Sequence, residues 1–235
     1  DKQSILKDGI IDSDVHPRIK NGLNSLKPYM SRSWQMYFGN RSNLPAPPLT
    51  PVDGTGGDRR DVPSPTEPSY IKPYLDQYNV KYGIMTFLQA CPIAGMANRN
   101  EANVIASAAN DYALNEFYSV DPRLRLALIV SPLDPDAAAK EIERLGNEKG
   151  VAAVFLPLAN ITMGKPHYYP IYEAAIKYGL PIFMHPFAVD GVYSNAYQHG
   201  GGVPGTYIER HTRFVEIGYA NISSLVLEGV FERYP

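Results

Sequence analysis

Five short runs of apolar residues, each separated from the next by a stretch long enough for a helix, constrain this chain most strongly. They fall at residues 10–16, 80–88, 124–131, 151–156 and 182–185. Runs such as Leu124 to Val130, broken only by Arg125, and Val151 to Leu156 are apolar on both faces rather than at alternate positions. A strand with that pattern is buried on both faces, as in a parallel sheet covered by helices. The strand spacing of roughly 30 residues is that of a βα unit. Between the runs lie helix signals. Asn98 and Glu101 form a capping box ahead of a stripe of Val104, Ile105, Ala108, Ala109, Tyr112, Ala113 and Phe117. Asp134-Pro135 is an N-cap followed by proline at the first helical position. Gly179 ends a helix from about Tyr169 to Tyr178. A last helix is expected from about Thr206 to Phe231, with Phe214, Val215, Ile222, Leu225, Val226 and Val230 inward.

Two architectures satisfy such a βα rhythm, a (β/α)8 barrel and a doubly wound sheet. No Gly-x-Gly-x-x-Gly follows the first strand, which argues against a dinucleotide-binding sheet. Polar residues gather instead at strand C-termini: Asp14 and His16, Gln89, and His185. A barrel builds its active site at that face. The expectation is therefore an α/β, (β/α)8 TIM-like barrel with only about its first five βα units present. Residues 1–235 then form the N-terminal part of one barrel domain. Either the chain is a piece of a longer one or another polypeptide supplies the remaining strands. A Pro- and Gly-rich insertion at about residues 40–72 interrupts the rhythm and reads as a lid, anchored by Trp34, Tyr37, Phe38, Leu44, Tyr70, Ile71 and Tyr74.

Composition excludes several roles. The net charge is -2 and no basic run is present, so nucleic acid is not an expected partner. No apolar stretch reaches the length of a membrane span. The single cysteine, Cys91, rules out an internal disulfide and fits a reducing, cytoplasmic setting.

In Ile10-Ile11-Asp12-Ser13-Asp14-Val15-His16-Pro17, an apolar strand leads into an Asp-x-His pair. Residues two apart in a strand share a face, so Asp14 and His16 project side by side, an oxygen and an imidazole suited to a divalent ion. Leu180-Pro181-Ile182-Phe183-Met184-His185-Pro186 repeats the design. The alternative, that these are ordinary hydrogen-bonded strand ends, stays open at this point.

These residues resemble the amidohydrolase-2 family of metal-dependent hydrolases and decarboxylases, including proteins like aminocarboxymuconate-semialdehyde decarboxylase. The resemblance rests on the Asp12 to Pro17 motif, Asn110-Asp111-Tyr112-Ala113 with Asp121-Pro122-Arg123, and Pro132-Leu133-Asp134-Pro135. Gly179 to Pro186 and Ser224 to Pro235 complete it. It implies a distorted barrel and one divalent ion, zinc or manganese, held by Asp14, His16 and His185. It also implies an eighth-strand acid/base aspartate, expected beyond Pro235. Asp14 stands where many members carry His or Glu, and an oxygen-richer shell suits manganese somewhat better.

The activity implied is hydrolysis of an ester, lactone or amide carbonyl in a small, carboxylated or aromatic substrate. The alternative is non-oxidative decarboxylation of an aromatic or unsaturated acid. An alternative of another class is a partial-barrel subunit that needs a partner chain. Gln89, Phe187, His199 and Arg59 are the expected substrate contacts. His167 and His211 read as turn and surface residues. A homo-oligomer, or a second chain completing the barrel, is the expected assembly.

Overall fold

The computed structural model describes residues 9–44, 65–186 and 207–235. Five strands, β1 (Ile10–Val15), β2 (Val80–Met85), β3 (Leu124–Ile129), β4 (Val151–Pro157) and β5 (Ile182–His185), pair in parallel in the order β1-β2-β3-β4-β5. Strand order never reverses. A doubly wound sheet reverses at its switch point, whereas a barrel adds each strand beside the last. The sheet is also curled. A flat five-stranded sheet would hold its outer strands roughly 19 Å apart, yet side chains at the C-terminal ends of β1 and β5 meet. The architecture is half of a (β/α) barrel.

Helices cover the convex side: α1 (Leu23–Leu26), α2 (Arg32–Phe38), α3 (Pro68–Gln77), α4 (Arg99–Ala113), α5 (Pro135–Leu145), α6 (Tyr169–Lys177), α7 (Tyr207–Leu227) and α8 (Val230–Arg233). Leu75, Ile105, Ile142 and Ile171 are fully buried from this layer, as are Leu124, Leu128, Val154 and Leu156 from the sheet. Gly83 lies where β2 meets α3. A Cβ there would stand 3.1 Å from Val15 Cγ2 and 3.5 Å from Leu75 Cδ2, so glycine lets the layers close.

The Asn110-Asp111 pair has a structural reason. Asn110 is wholly buried on α4, and its amide bonds both ways with Ile129. Nδ2 donates to the Ile129 carbonyl and Oδ1 accepts from the Ile129 N–H, each at 2.9 Å. The pairing of β2 with β3 stops at Met85↔Leu126. Past that point the Asn110 side chain, which carries the same donor and acceptor as a peptide, bonds the strand edge. Asp111 accepts from Arg144 Nη1 at 2.9 Å, tying α4 to α5.

Three expectations are corrected. First, β2 ends at Met85 rather than Leu88, and Leu88–Gly95 forms a buried 3-10 turn around Pro92. Second, the segment ahead of Tyr70 is already helical, since α3 starts with Pro68 at its first position. Residues 45–64 of the expected lid lie outside the described residues; of its anchors, Phe38 and Ile71 are buried. Third, the last helix is two. Gly229 adopts φ +69°, a left-handed conformation that ends α7. The inward face of α7 also differs from the hydropathy pattern. Ile217, Asn221 and Leu225 are buried, while Val215, Ile222 and Val226 are about half exposed. The helix docks through polar groups: Asn221 Oδ1 accepts from the Met163 N–H, and Ser224 Oγ from the Gly164 N–H, each at 3.1 Å. Of the positions that hydropathy placed inward, Leu225 and Val230 are buried and Phe214 packs against the core, while Val215, Ile222 and Val226 face outward.

Candidate metal centre

The site starts with an irregularity in β1. Its register against β2 shifts between Asp12 and Val15. Asp12 turns to the helix layer, where Tyr74 of α3 donates to its Oδ2 at 2.9 Å. Asp14 and His16 then point together toward the concave side, and Pro17 follows immediately.

Thr86, directly after β2, stands between them. It is completely buried, and its hydroxyl donates to Asp14 Oδ1 at 3.1 Å. His16 Nδ1 lies 2.6 Å from that hydroxyl oxygen and 3.3 Å from the Thr86 carbonyl. A carbonyl oxygen only accepts, so the proton sits on Nδ1. That leaves His16 Nε2 facing Asp14 Oδ2 at 3.2 Å. The third member comes from the far end of the sheet. His185 Nδ1 donates to the Pro186 carbonyl at 3.1 Å, and its ring packs 5.7 Å from that of Phe155. One ligand atom each from Asp14, His16 and His185 lies within 4.8 Å of the others, so these three could hold a metal ion.

The electrostatics suit a cation. Burial raises the Asp14 carboxyl. The hydrogen bond from His16, the nearby charges of His16 and His185, and the Thr86 hydroxyl outweigh it, holding the group below its ordinary value. Burial pushes His185 below the ordinary imidazole value, more than Asp14 raises it, so the ring is neutral at neutral pH with its lone pair on Nε2. Both histidines pass their other ring proton to a protein oxygen, the arrangement that orients a metal-binding imidazole. By donor chemistry these residues fit one divalent ion.

The other expected contacts divide. Gln89 is held from the chain side: its Oε1 accepts from the Ile19 N–H at 2.6 Å, tying the segment after β1 to the turn after β2. Phe187, His199 and Arg59 lie outside the described residues, as does the side chain of His211. His167 Nε2 lies 2.7 Å from the Pro132 carbonyl, a turn contact. Cys91 is buried and its thiol is raised far above its ordinary value by burial. Thr86 went unnoticed in the sequence. Its only signal was position, one residue past a strand that must neighbour the first. A separate hollow of about 640 Å³, lined by Gly9, Asp76, Lys81, Arg123 and Arg125, opens at the opposite, N-terminal ends of the strands. There Arg123 is already paired with Asp76 and Asp121.

The sequence model of a family described as amidohydrolase matches residues 11–235. The chain belongs to the amidohydrolase family. Among the chain's relatives is the gamma-resorcylate decarboxylase of Rhodococcus jostii (strain RHA1), 28% identical over 123 residues, which are 48% of this chain and 37% of that protein. An amidohydrolase II crystal structure superimposes with a TM-score of 0.64 at 16% identity, covering 96% of this chain and 63% of the other. The 5-carboxyvanillate decarboxylase of Novosphingobium aromaticivorans, with bound manganese and 3-methoxy-4-hydroxy-5-nitrobenzoic acid, gives 0.55 at 16% identity, covering 97% and 63%. The chain thus spans less than two thirds of the length of the relatives it matches. These two structural likenesses establish the fold, part of a TIM-like barrel. Among the described residues no helix is long and apolar enough to cross a membrane.

Proposed function

We propose that the protein carries the metal-binding half of a decarboxylase that removes carbon dioxide, without an oxidant, from an aromatic carboxylic acid. The observation that carries it is the convergence of one carboxylate and two imidazoles, all within 4.8 Å, at the C-terminal ends of β1 and β5. The gamma-resorcylate decarboxylase relative supports this branch. Manganese is favoured over zinc, since a carboxylate oxygen completes the set and the 5-carboxyvanillate decarboxylase neighbour holds manganese.

A divalent ion at such a site supplies Lewis-acid polarisation of substrate oxygens. The chain's residues do the rest. Asp14, His16 and His185 would hold that ion. Phe155, wholly buried, packs its ring 5.7 Å from that of His185 and helps hold the imidazole in place. The bond from ring carbon to carboxyl carbon breaks, its electron pair stays on the ring, and a proton replaces the carboxyl group. That proton comes ultimately from solvent.

Hydrolysis of an ester, lactone or amide carbonyl is the second reading, favoured by the family's description. The deciding experiment loads the protein with Mn2+ and offers gamma-resorcylate, 5-carboxyvanillate and a panel of aryl lactones. Release of carbon dioxide supports decarboxylation. A new carboxylate from a lactone replaces it with hydrolysis. Bound metal with neither product points to a partial-barrel subunit that acts only with a partner chain.

A further inference from the structure

We propose that Thr86 is a positioning residue: its hydroxyl, donating to Asp14 Oδ1 and accepting from His16 Nδ1, holds the pair so that His16 Nε2 and Asp14 Oδ2 face one point. The proposal rests on the metal-centre reading above, and it concerns a residue outside the three-donor group.

Proton counting carries it. The Thr86 hydroxyl has one proton and two lone pairs. With Asp14 Oδ1 at 3.1 Å, that proton goes to the carboxylate, which can only accept. The oxygen then has only lone pairs to offer His16 Nδ1, 2.6 Å away, so Nδ1 must bring the hydrogen. The Thr86 carbonyl at 3.3 Å from the same nitrogen makes the same demand. The residue directly after β2 thereby orients both side chains and places a proton on His16 Nδ1. Thr86 is completely buried, so water cannot take over its hydrogen bonds. The register shift in β1 adds to the need: without a partner from β2, nothing else among the described contacts to Asp14 and His16 holds both at once.

The test uses Thr86→Val, which keeps the shape and removes the hydroxyl, and Thr86→Ser, which keeps the hydroxyl. Metal-free protein is labelled with 15N and the His16 ring nitrogens are read by NMR, then Mn2+ affinity is measured by calorimetry. The wild type is expected to show the Nδ1–H form. Thr86→Val is expected to show a mixture of tautomers and to bind Mn2+ about 10- to 100-fold more weakly. Thr86→Ser should restore both to near wild type. A wild-type His16 protonated on Nε2 alone overturns the proposal, even if Thr86→Val does not fold. So does equal Mn2+ affinity and an unchanged tautomer in Thr86→Val, or an equal loss in both variants. If wild type binds no Mn2+, the metal reading fails, and the tautomer comparison still judges Thr86.

Discussion

The imidazole rings of His16 and His185 stand edge to face with centroids 5.5 Å apart, although they close the two outermost strands of the sheet. Neither ring could reach the other across a flat sheet. Curvature therefore creates the site, and curvature follows from adding every strand on the same side of its predecessor. The polar cluster needs the barrel geometry, and the barrel geometry is visible in the cluster.

His185→Ala tests that dependence. The substitution removes one of three donors and a ring contact with Phe155. The contact is worth about 1 kcal/mol, so the fold should persist and the circular dichroism spectrum should match wild type. Stoichiometric Mn2+, measured by elemental analysis after gel filtration, should fall to background. Undiminished metal in a folded variant would take His185 out of the site.

Asn110→Ala probes the sheet rather than the site. It strands the buried N–H and carbonyl of Ile129 and one bond to Glu141 Oε1, which now accepts from Asn110 Nδ2 at 2.8 Å. Each buried group left without a partner costs about 1–3 kcal/mol, so a loss of roughly 2–5 kcal/mol is expected. Urea unfolding should show the midpoint falling with the slope unchanged. A loss below about 1 kcal/mol would mean that water takes over the strand edge.

What could be read from the sequence follows from how each residue acts. The strands were legible because Leu124 to Ile129 and Val151 to Pro157 are buried, or nearly so, on both faces. Helix starts were legible because caps are local: Asn98 Oδ1 accepts from the Glu101 N–H and Asp134 Oδ1 from the Ala137 N–H. The capping box is only half made, for the Glu101 carboxylate turns to Arg41 and Tyr37. Asp14 and His16 stood out as an Asp-x-His pair at a strand's end, and His185 as a second strand-end histidine, both histidines preceding a proline. Thr86 did not, since its role depends on which strand lies beside β1. The docked face of α7 stayed hidden because Asn221 and Ser224 are polar residues that satisfy backbone amides of a distant loop. Pattern along the chain reports burial well and long-range hydrogen bonding poorly.

Two glycines separate steric from conformational need. At Gly164 a Cβ would lie 2.2 Å from the Ser224 carbonyl oxygen, so Gly164→Ala must push α7 off the loop after β4. At Gly179 nothing lies within 4 Å, but φ is +64°. Gly179→Ala should cost only about 1–2 kcal/mol, the left-handed penalty. Gly164→Ala should cost more and should speed amide exchange in α7 specifically. Equal destabilisation of both, with no change in α7, would argue against the close helix–loop contact.

Alkaline pH should expose the buried acids. Cys91 is buried, and burial raises its thiol well above the ordinary 9.0. Burial likewise raises the Tyr168 and Tyr172 phenols above the ordinary 10.0. All three groups are protonated in both states at pH 7, so they add no pH dependence there. Above about pH 9 the unfolded chain releases protons that the folded chain keeps, and stability falls as pH rises. The urea midpoint should therefore stay level from about pH 7 to 8.5 and then decline. In Cys91→Ala, which is less stable overall because of the cavity it leaves, the decline should begin about one pH unit higher, where tyrosine takes over. Iodoacetamide should label Cys91 in the native protein no faster than the chain opens. Rapid labelling at pH 8 under native conditions would show that the thiol reaches solvent and that burial does not set its ionisation.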